Sequence, residues 1–187
     1  MNLHVVLLHD EMLDKQGDLV TTSLTMIDLH DIARSGCTYG IKTFYIAHPS
    51  PSLRKLARTL KNHWDVGYGA TYNPNRKEAL EMAVIVDSID EVIHHIDQKH
   101  SSFPKLIATS AHQGEGRMSC NDCSDMMKED SNQHYLLMLG TGWGMSKQLL
   151  DRTDYFLEPI NGPTEYNHLS VRSALAIMLD RLNLNNE

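Results

Sequence analysis

The chain has 187 residues, a formal net charge of −7, 41% hydrophobic and 22% charged residues. This is the composition of one ordinary globular domain, residues 1–187, long enough to bury a real core. It excludes a membrane-spanning helix, since no run approaches roughly 18 apolar residues, and it argues against a strong non-specific nucleic-acid binder, which would be basic, though not against a local basic patch.

Residues 1–12 carry no basic segment, and their apolar run is too short for a signal peptide. Three cysteines, an odd number, give no disulfide framework, so a reducing cytoplasm is the expected setting. Short apolar runs rich in strand formers then recur at 5–8, 44–47, 83–86, 106–109, 135–139 and 155–157. They are continuous rather than alternating, as in strands covered on both faces. Helical patterns fall between most of them: around Leu24, Ile27 and Ile32, at 89–99, at 145–150, and at 169–182. This alternation predicts an α/β fold, a mostly parallel sheet of about six strands flanked by helices.

A further helix follows the second strand. Ser50 is its expected N-cap and Pro51 suits the first helical position. Leu53, Leu56, Ala57, Leu60 and Trp64 form the expected inward stripe. Arg54, Arg58 and Lys61, spaced i, i+4, i+7, share another face, with Lys55 beside them. Such a face is either a solvated surface or a stripe that contacts nucleic-acid phosphates. For the closing helix Asn167 is the expected cap.

The glycine loop at 139–144, LGTGWG, carries the strongest chemical signal. Gly140, Gly142 and Gly144 alternate directly after a strand, where open α/β sheets place ligands and where a missing Cβ lets backbone approach them. Met145 breaks the dinucleotide pattern G-x-G-x-x-G, and no G-K-[ST] follows. Cys120 and Cys123 form a C-x-x-C, and with His112 and His134 they could supply four zinc ligands on paper. The spacing matches no standard finger and a second cysteine pair is missing, so no metal site is expected. His30, Asp31 and Arg34 lie on one helix, where Asp31 and Arg34 can pair.

Five segments in order, IDLHDIARSGCTYGIKTFYIAHP (27–49), IATSA (107–111), LGTGWG (139–144), LEPI (157–160) and YNHLSVRSALAIMLDRL (166–182), resemble the SPOUT, or trefoil-knot, RNA methyltransferases. The resemblance implies a parallel α/β sheet closed by a C-terminal trefoil knot, a homodimer, and S-adenosylmethionine bound in the knot. The implied cofactor residues are Thr109, Ser110 and Ala111; Gly140, Thr141, Gly142 and Gly144; and Ile160, Gly162, Asn167, His168 and Leu169. By the same resemblance Arg34, within IARSG, acts near the acceptor nucleotide. Glu165 and His168 are further candidates for handling the acceptor, since methyl transfer from a sulfonium needs in-line alignment and a base for the acceptor's proton. The implied partner is RNA, tRNA or rRNA, contacted through Arg54, Lys55, Arg58 and Lys61. A non-catalytic binding module with the same pocket is the alternative, prompted by the acidic net charge.

Overall fold

The structure, a computed structural model, describes residues 1–183. Its strands are β1 (Asn2–Leu8), β2 (Met12–Leu13), β3 (Leu19–Val20), β4 (Thr43–Ala47), β5 (Ala83–Val86), β6 (Lys105–Ala108), β7 (His134–Leu139) and β8 (Tyr155–Phe156). Its helices are α1 (Met26–Thr38), α2 (Pro51–Asp65), α3 (Tyr68–Tyr72), α4 (Pro74–Glu81), α5 (Ile89–His100), α6 (Cys120–Glu129), α7 (Lys147–Leu150) and α8 (Val171–Asn183).

Six strands form one sheet in the order β5-β4-β1-β7-β6-β8, and every neighbouring pair is parallel. The side-chain period of two divides the central strands between two cores. Leu3, Val5 and Leu7 of β1, with Tyr135, Leu137 and Leu139 of β7, face the side covered by α1, α2, α6 and α8. Val6 and Leu8, with Leu136 and Met138, face α5 and α7. Burial on both faces is why these strands read as unbroken apolar runs. Within the helical layer α1 packs against α4 and α8, and α6 against α8.

Several local expectations need correction. Ser50 precedes α2, but its hydroxyl makes no capping bond; its N–H donates to His48 Nδ1 at 3.0 Å. Leu56 is 48% exposed, so the inward stripe of α2 is carried by Ala57, with Leu60 and Trp64 partly buried. Asn167 does not cap the last helix. Ser170 accepts from Ser173 N there, and Asn167 spends its amide on the carbonyl of Ala111. α7 begins at Lys147, with the Ser146 hydroxyl accepting from Leu149 N. Asp31 pairs with Arg172 rather than with Arg34.

Candidate active site

The carboxyl ends of β6 and β7 open into a cavity of about 810 Å³. That lies within the range of small-molecule sites. Three loops and two helices build its wall. β6 delivers Thr109, Ser110, Ala111 and His112. β7 delivers residues 140–144. The segment after β8 adds Ile160, Glu165, Asn167, His168 and Leu169, and Thr25 and Asp28 of the α1 start face Arg172, Ala174 and Met178 of α8.

Each loop is fixed by bonds that the sequence makes possible. The buried Thr109 hydroxyl donates to Met138 O at 2.8 Å, tying the end of β6 to β7. Asn167 Nδ2 donates to Ala111 O at 2.9 Å, and Gln113 Nε2 to Asn161 Oδ1 at 3.0 Å, so the first and third loops are joined across the mouth. The glycine loop leans on the β2–β3 hairpin: Leu13 N donates to Gly144 O at 2.8 Å, Trp143 N to Leu13 O at 3.0 Å, and Ser146 N to Glu11 O at 2.8 Å. Thr141 adds a hydroxyl bond to Leu8 O at 2.9 Å and one with Thr22.

The glycines do not all serve the same purpose. Gly142 has φ +60°, and a Cβ there would lie 2.9 Å from Leu13 O, on the hairpin side of the loop. Gly144 has φ +112° with free space around it, so its requirement is conformational. In both cases the loop's backbone is left to face the cavity. The N–H groups of Gly142 and Ile160 have no backbone partner among the described residues. Unspent donors beside a cavity are what a nucleoside edge can use.

Asp28 and Arg172 were not singled out from the sequence. Arg172 Nη1 donates to Asp28 Oδ1 at 2.8 Å, and its Nε lies 3.4 Å from Asp31 Oδ2. The Thr25 hydroxyl donates to the other Asp28 oxygen. The signal was present: Thr25 and Asp28 have the spacing of a helix-start pair, and Arg172 sits inside the YNHLSVRSA segment.

All the proposed cofactor residues line the cavity except Gly162, whose surroundings are open. Glu165 and His168 also line it, with Tyr166 stacked edge-on against His168. Arg34 does not. It lies on the exposed face of α1, beside a separate depression of about 430 Å³ whose wall includes Asp31, Tyr39 and Arg172. Arg172 therefore separates the two hollows.

The cationic face of α2 splits. Arg54 donates to the carbonyls of His48 and Pro49, both at 2.7 Å; Arg58 to Ile85 O at 3.0 Å; Lys61 to Ala83 O at 2.8 Å. Arg58 and Lys61 hold α2 to β5 at the edge of the sheet, Arg54 ties it to the loop after β4, and Lys55 is left exposed. Cys120, Cys123, His112 and His134 do not assemble. Both cysteines are buried in the core on α6, where burial pushes the Cys123 thiol up to about 12.

Comparison with known proteins agrees with this geometry. A family described as SAM-dependent RNA methyltransferase matches residues 2–184. The chain is 39% identical over 181 residues to a tRNA (guanine-N(1)-)-methyltransferase of Nitratidesulfovibrio vulgaris, covering 97% of this chain and 42% of that protein. It thus spans about two-fifths of that relative's length. It is 37% identical over 182 residues to an uncharacterized protein of Aquifex aeolicus, of which it covers 88%. In fold it is similar to a methylase family protein of Haemophilus influenzae, with a TM-score of 0.63, 17% identity and coverage of 98% of this chain and 65% of that one. It is also similar to the SpoU methyltransferase AviRb of Streptomyces viridochromogenes, solved with AdoMet, with a TM-score of 0.56, 18% identity and coverage of 97% and 56%. The parallel α/β sheet with a cavity at the carboxyl ends of its strands is the framework of an α/β protein with a small-molecule site. The chain belongs to the SAM-dependent RNA methyltransferase family.

Proposed function

We propose that the protein methylates tRNA, with guanine as the base to test first, and that the 810 Å³ cavity holds S-adenosylmethionine. The observation that carries this reading is the convergence of the three loops on one cavity. The residues present suit the cofactor. Backbone groups of Ala111, Gly142 and Ile160 can satisfy an adenine edge. The hydroxyls of Thr109 and Ser110 and the carboxylates of Asp28 and Glu165 suit the ribose, the ammonium and the positive sulfur.

Bound S-adenosylmethionine supplies an electrophilic methyl group on sulfur. The protein's own work is then alignment and proton handling. The loop tethers hold the donor side still. Glu165 and His168, at the mouth, are positioned to accept the proton that an acceptor nitrogen or hydroxyl gives up. Arg34, across the Arg172 wall, and Lys55 supply positive charge outside the cavity for RNA phosphates; Arg54, Arg58 and Lys61 can share that role with their remaining donors.

The segment between β8 and α8 bonds to the first loop through Asn167 and Asn161, and α8 packs on α1, an arrangement that suits a C-terminal knot. Exposed Trp143, Tyr166 and Leu169 surround the mouth, and a second copy of the chain would cover them; light scattering would show the dimer. The natural setting is the cytoplasm, where tRNA is found. Incubating the protein with unmodified tRNA and labelled S-adenosylmethionine, then separating the nucleosides by mass spectrometry, tests the proposal. One methylated nucleoside that disappears with the Glu165→Gln, His168→Asn double variant supports it. Incorporation no higher than that of heat-killed protein overturns it.

A further inference from the structure

At the end of the sheet opposite the cavity, three histidines meet. His4 lies near the start of β1, His134 opens β7, and His100 is the last residue of α5. One ring nitrogen from each lies within 4.8 Å of the others. His4 Nε2 and His134 Nδ1 face one another at 2.9 Å. The rings of His100 and His134 are stacked with centroids 4.1 Å apart. His4 is fully buried, and its other nitrogen, Nδ1, has no hydrogen-bond partner among the described residues.

His4 Nε2 and His134 Nδ1 share one hydrogen bond, so a proton stands between two buried nitrogens that could both face an ion. Among the described residues nothing acidic acts on these rings; Lys42 and Lys99 are the charged neighbours of His4. The usual reason for gathering histidines, pairing with a carboxylate, is therefore absent. Neutral imidazoles, however, are the commonest metal ligands.

The geometry points to a binding site for a divalent first-row transition ion, zinc in the first instance, held by His4, His100 and His134. A tetrahedral ion with bonds of about 2.0–2.1 Å needs ligand nitrogens roughly 3.3 Å apart. The 2.9 Å pair and the 4.8 Å limit bracket that spacing. The terminal torsion of histidine is broad, so small ring rotations turn the three edges toward one point. Three nitrogens and no oxygen donor select zinc, nickel or copper over magnesium and calcium. His100 is only partly buried, which leaves the fourth position to water or an anion, and Lys42 and Lys99 favour the anion.

The backbone around the cluster is fixed in a matching way. Ser101, directly after His100, adopts φ +53°, a left-handed conformation that only a well-held turn sustains in a serine. Gln133 Nε2 donates to Phe103 O and His134 O, both at 2.8 Å, so the loops bearing His100 and His134 are joined. An ion here would pin α5 to β1 and β7.

The test uses the full chain without an affinity tag, stripped with a chelator. Zinc is titrated against a competing fluorescent chelator, and bound metal is counted by elemental analysis. Cobalt in place of zinc reports the ligand geometry through its visible bands. One zinc per chain is expected. His100→Gln and His134→Gln should each weaken binding by more than about tenfold and abolish the cobalt bands. Affinity for S-adenosylmethionine should stay within about twofold, because the cavity lies at the far end of the strands. His100→Gln, at a partly exposed helix end, carries the test if His134→Gln does not fold. The inference is overturned if stripped wild-type protein takes up no more zinc than a protein carrying both His100→Gln and His134→Gln, or if His100→Gln binds zinc as tightly as wild type.

Discussion

Arg172 Nη1 meets Asp28 Oδ1 at 2.8 Å and joins the closing helix to the first one across the wall of the cavity. The aspartate side chain is 10% exposed and the arginine 33%. Removing the arginine strands a nearly buried carboxylate, which is worse than removing both groups. Arg172→Ala should lower unfolding free energy by about 1.5–3 kcal/mol, and Asp28→Leu combined with Arg172→Leu should recover part of that. Urea denaturation of the three proteins measures the difference.

Gly142 and Gly162 should behave oppositely. Gly142→Ala places a methyl 2.9 Å from Leu13 O at φ +60°, so the loop must shift. The left-handed conformation alone costs about 1–2 kcal/mol. Cofactor affinity should fall at least about tenfold, the equivalent of 1.4 kcal/mol. Gly162→Ala meets nothing within 4 Å and has no positive φ, and its binding curve should match that of the wild type. Isothermal titration calorimetry with S-adenosylmethionine separates the two.

Acid should destabilise the fold through its buried histidines. Burial first, then His134, His100, Lys99 and Lys42, lowers His4 from 6.5 to about 3. Burial and then His48 lower His9 to about 4, against Asp28. The unfolded chain takes up these protons near pH 6.5 and the folded chain does not, so stability falls as pH drops from about 6.5 toward 4. The limiting slope is about 1.4 kcal/mol per pH unit for each histidine. Urea midpoints at pH 7.5 and 4.5, measured in chelator, should differ in this direction. His4→Asn should flatten the profile.

The cations of α2 should separate into two kinds. Arg58→Ala loses the bond to Ile85 O and should cost about 1 kcal/mol of stability. Lys55→Glu should leave thermal unfolding unchanged while weakening tRNA binding and reducing its salt dependence by about one ion. Filter binding across a salt series distinguishes them.

Arg34→Ala should leave S-adenosylmethionine affinity unchanged, because the side chain lines a different hollow from the cofactor cavity. It should reduce methyl transfer to tRNA by about tenfold or more, as expected for a group that acts only on the acceptor. Equal loss of cofactor binding would move Arg34 into the cavity wall.

The long-range parts of the fold were legible because buried parallel strands leave unbroken apolar runs, and all six lie where those runs fall. The β2–β3 hairpin was not, since each of its strands spans two residues. α4 had a usable signal: Asn73 before Pro74 caps it by accepting from Arg76 N. α6 was hidden by its own cysteines. Cys120 and Cys123 stand one helical turn apart, with Met127 a turn further on, and all three are buried. The C-x-x-C is a core stripe, indistinguishable by spacing from a ligand pair until the acidic residues around it are recognised as a helix exterior. The cavity residues were legible as loops following strands. Asp28 and Arg172 each had a local signal, but their pairing was not legible, because an ion pair between helices separated by 144 positions leaves no local pattern.

The dependence of the glycine loop on the hairpin has a consequence for biosynthesis. Thr141 N meets Met12 Sδ at 3.3 Å across 129 positions, and α8 must still arrive to close the wall. Contacts of such separation form slowly. The pocket is therefore among the last features to mature as the polypeptide emerges from the ribosome, because its wall is complete only when α8 has docked.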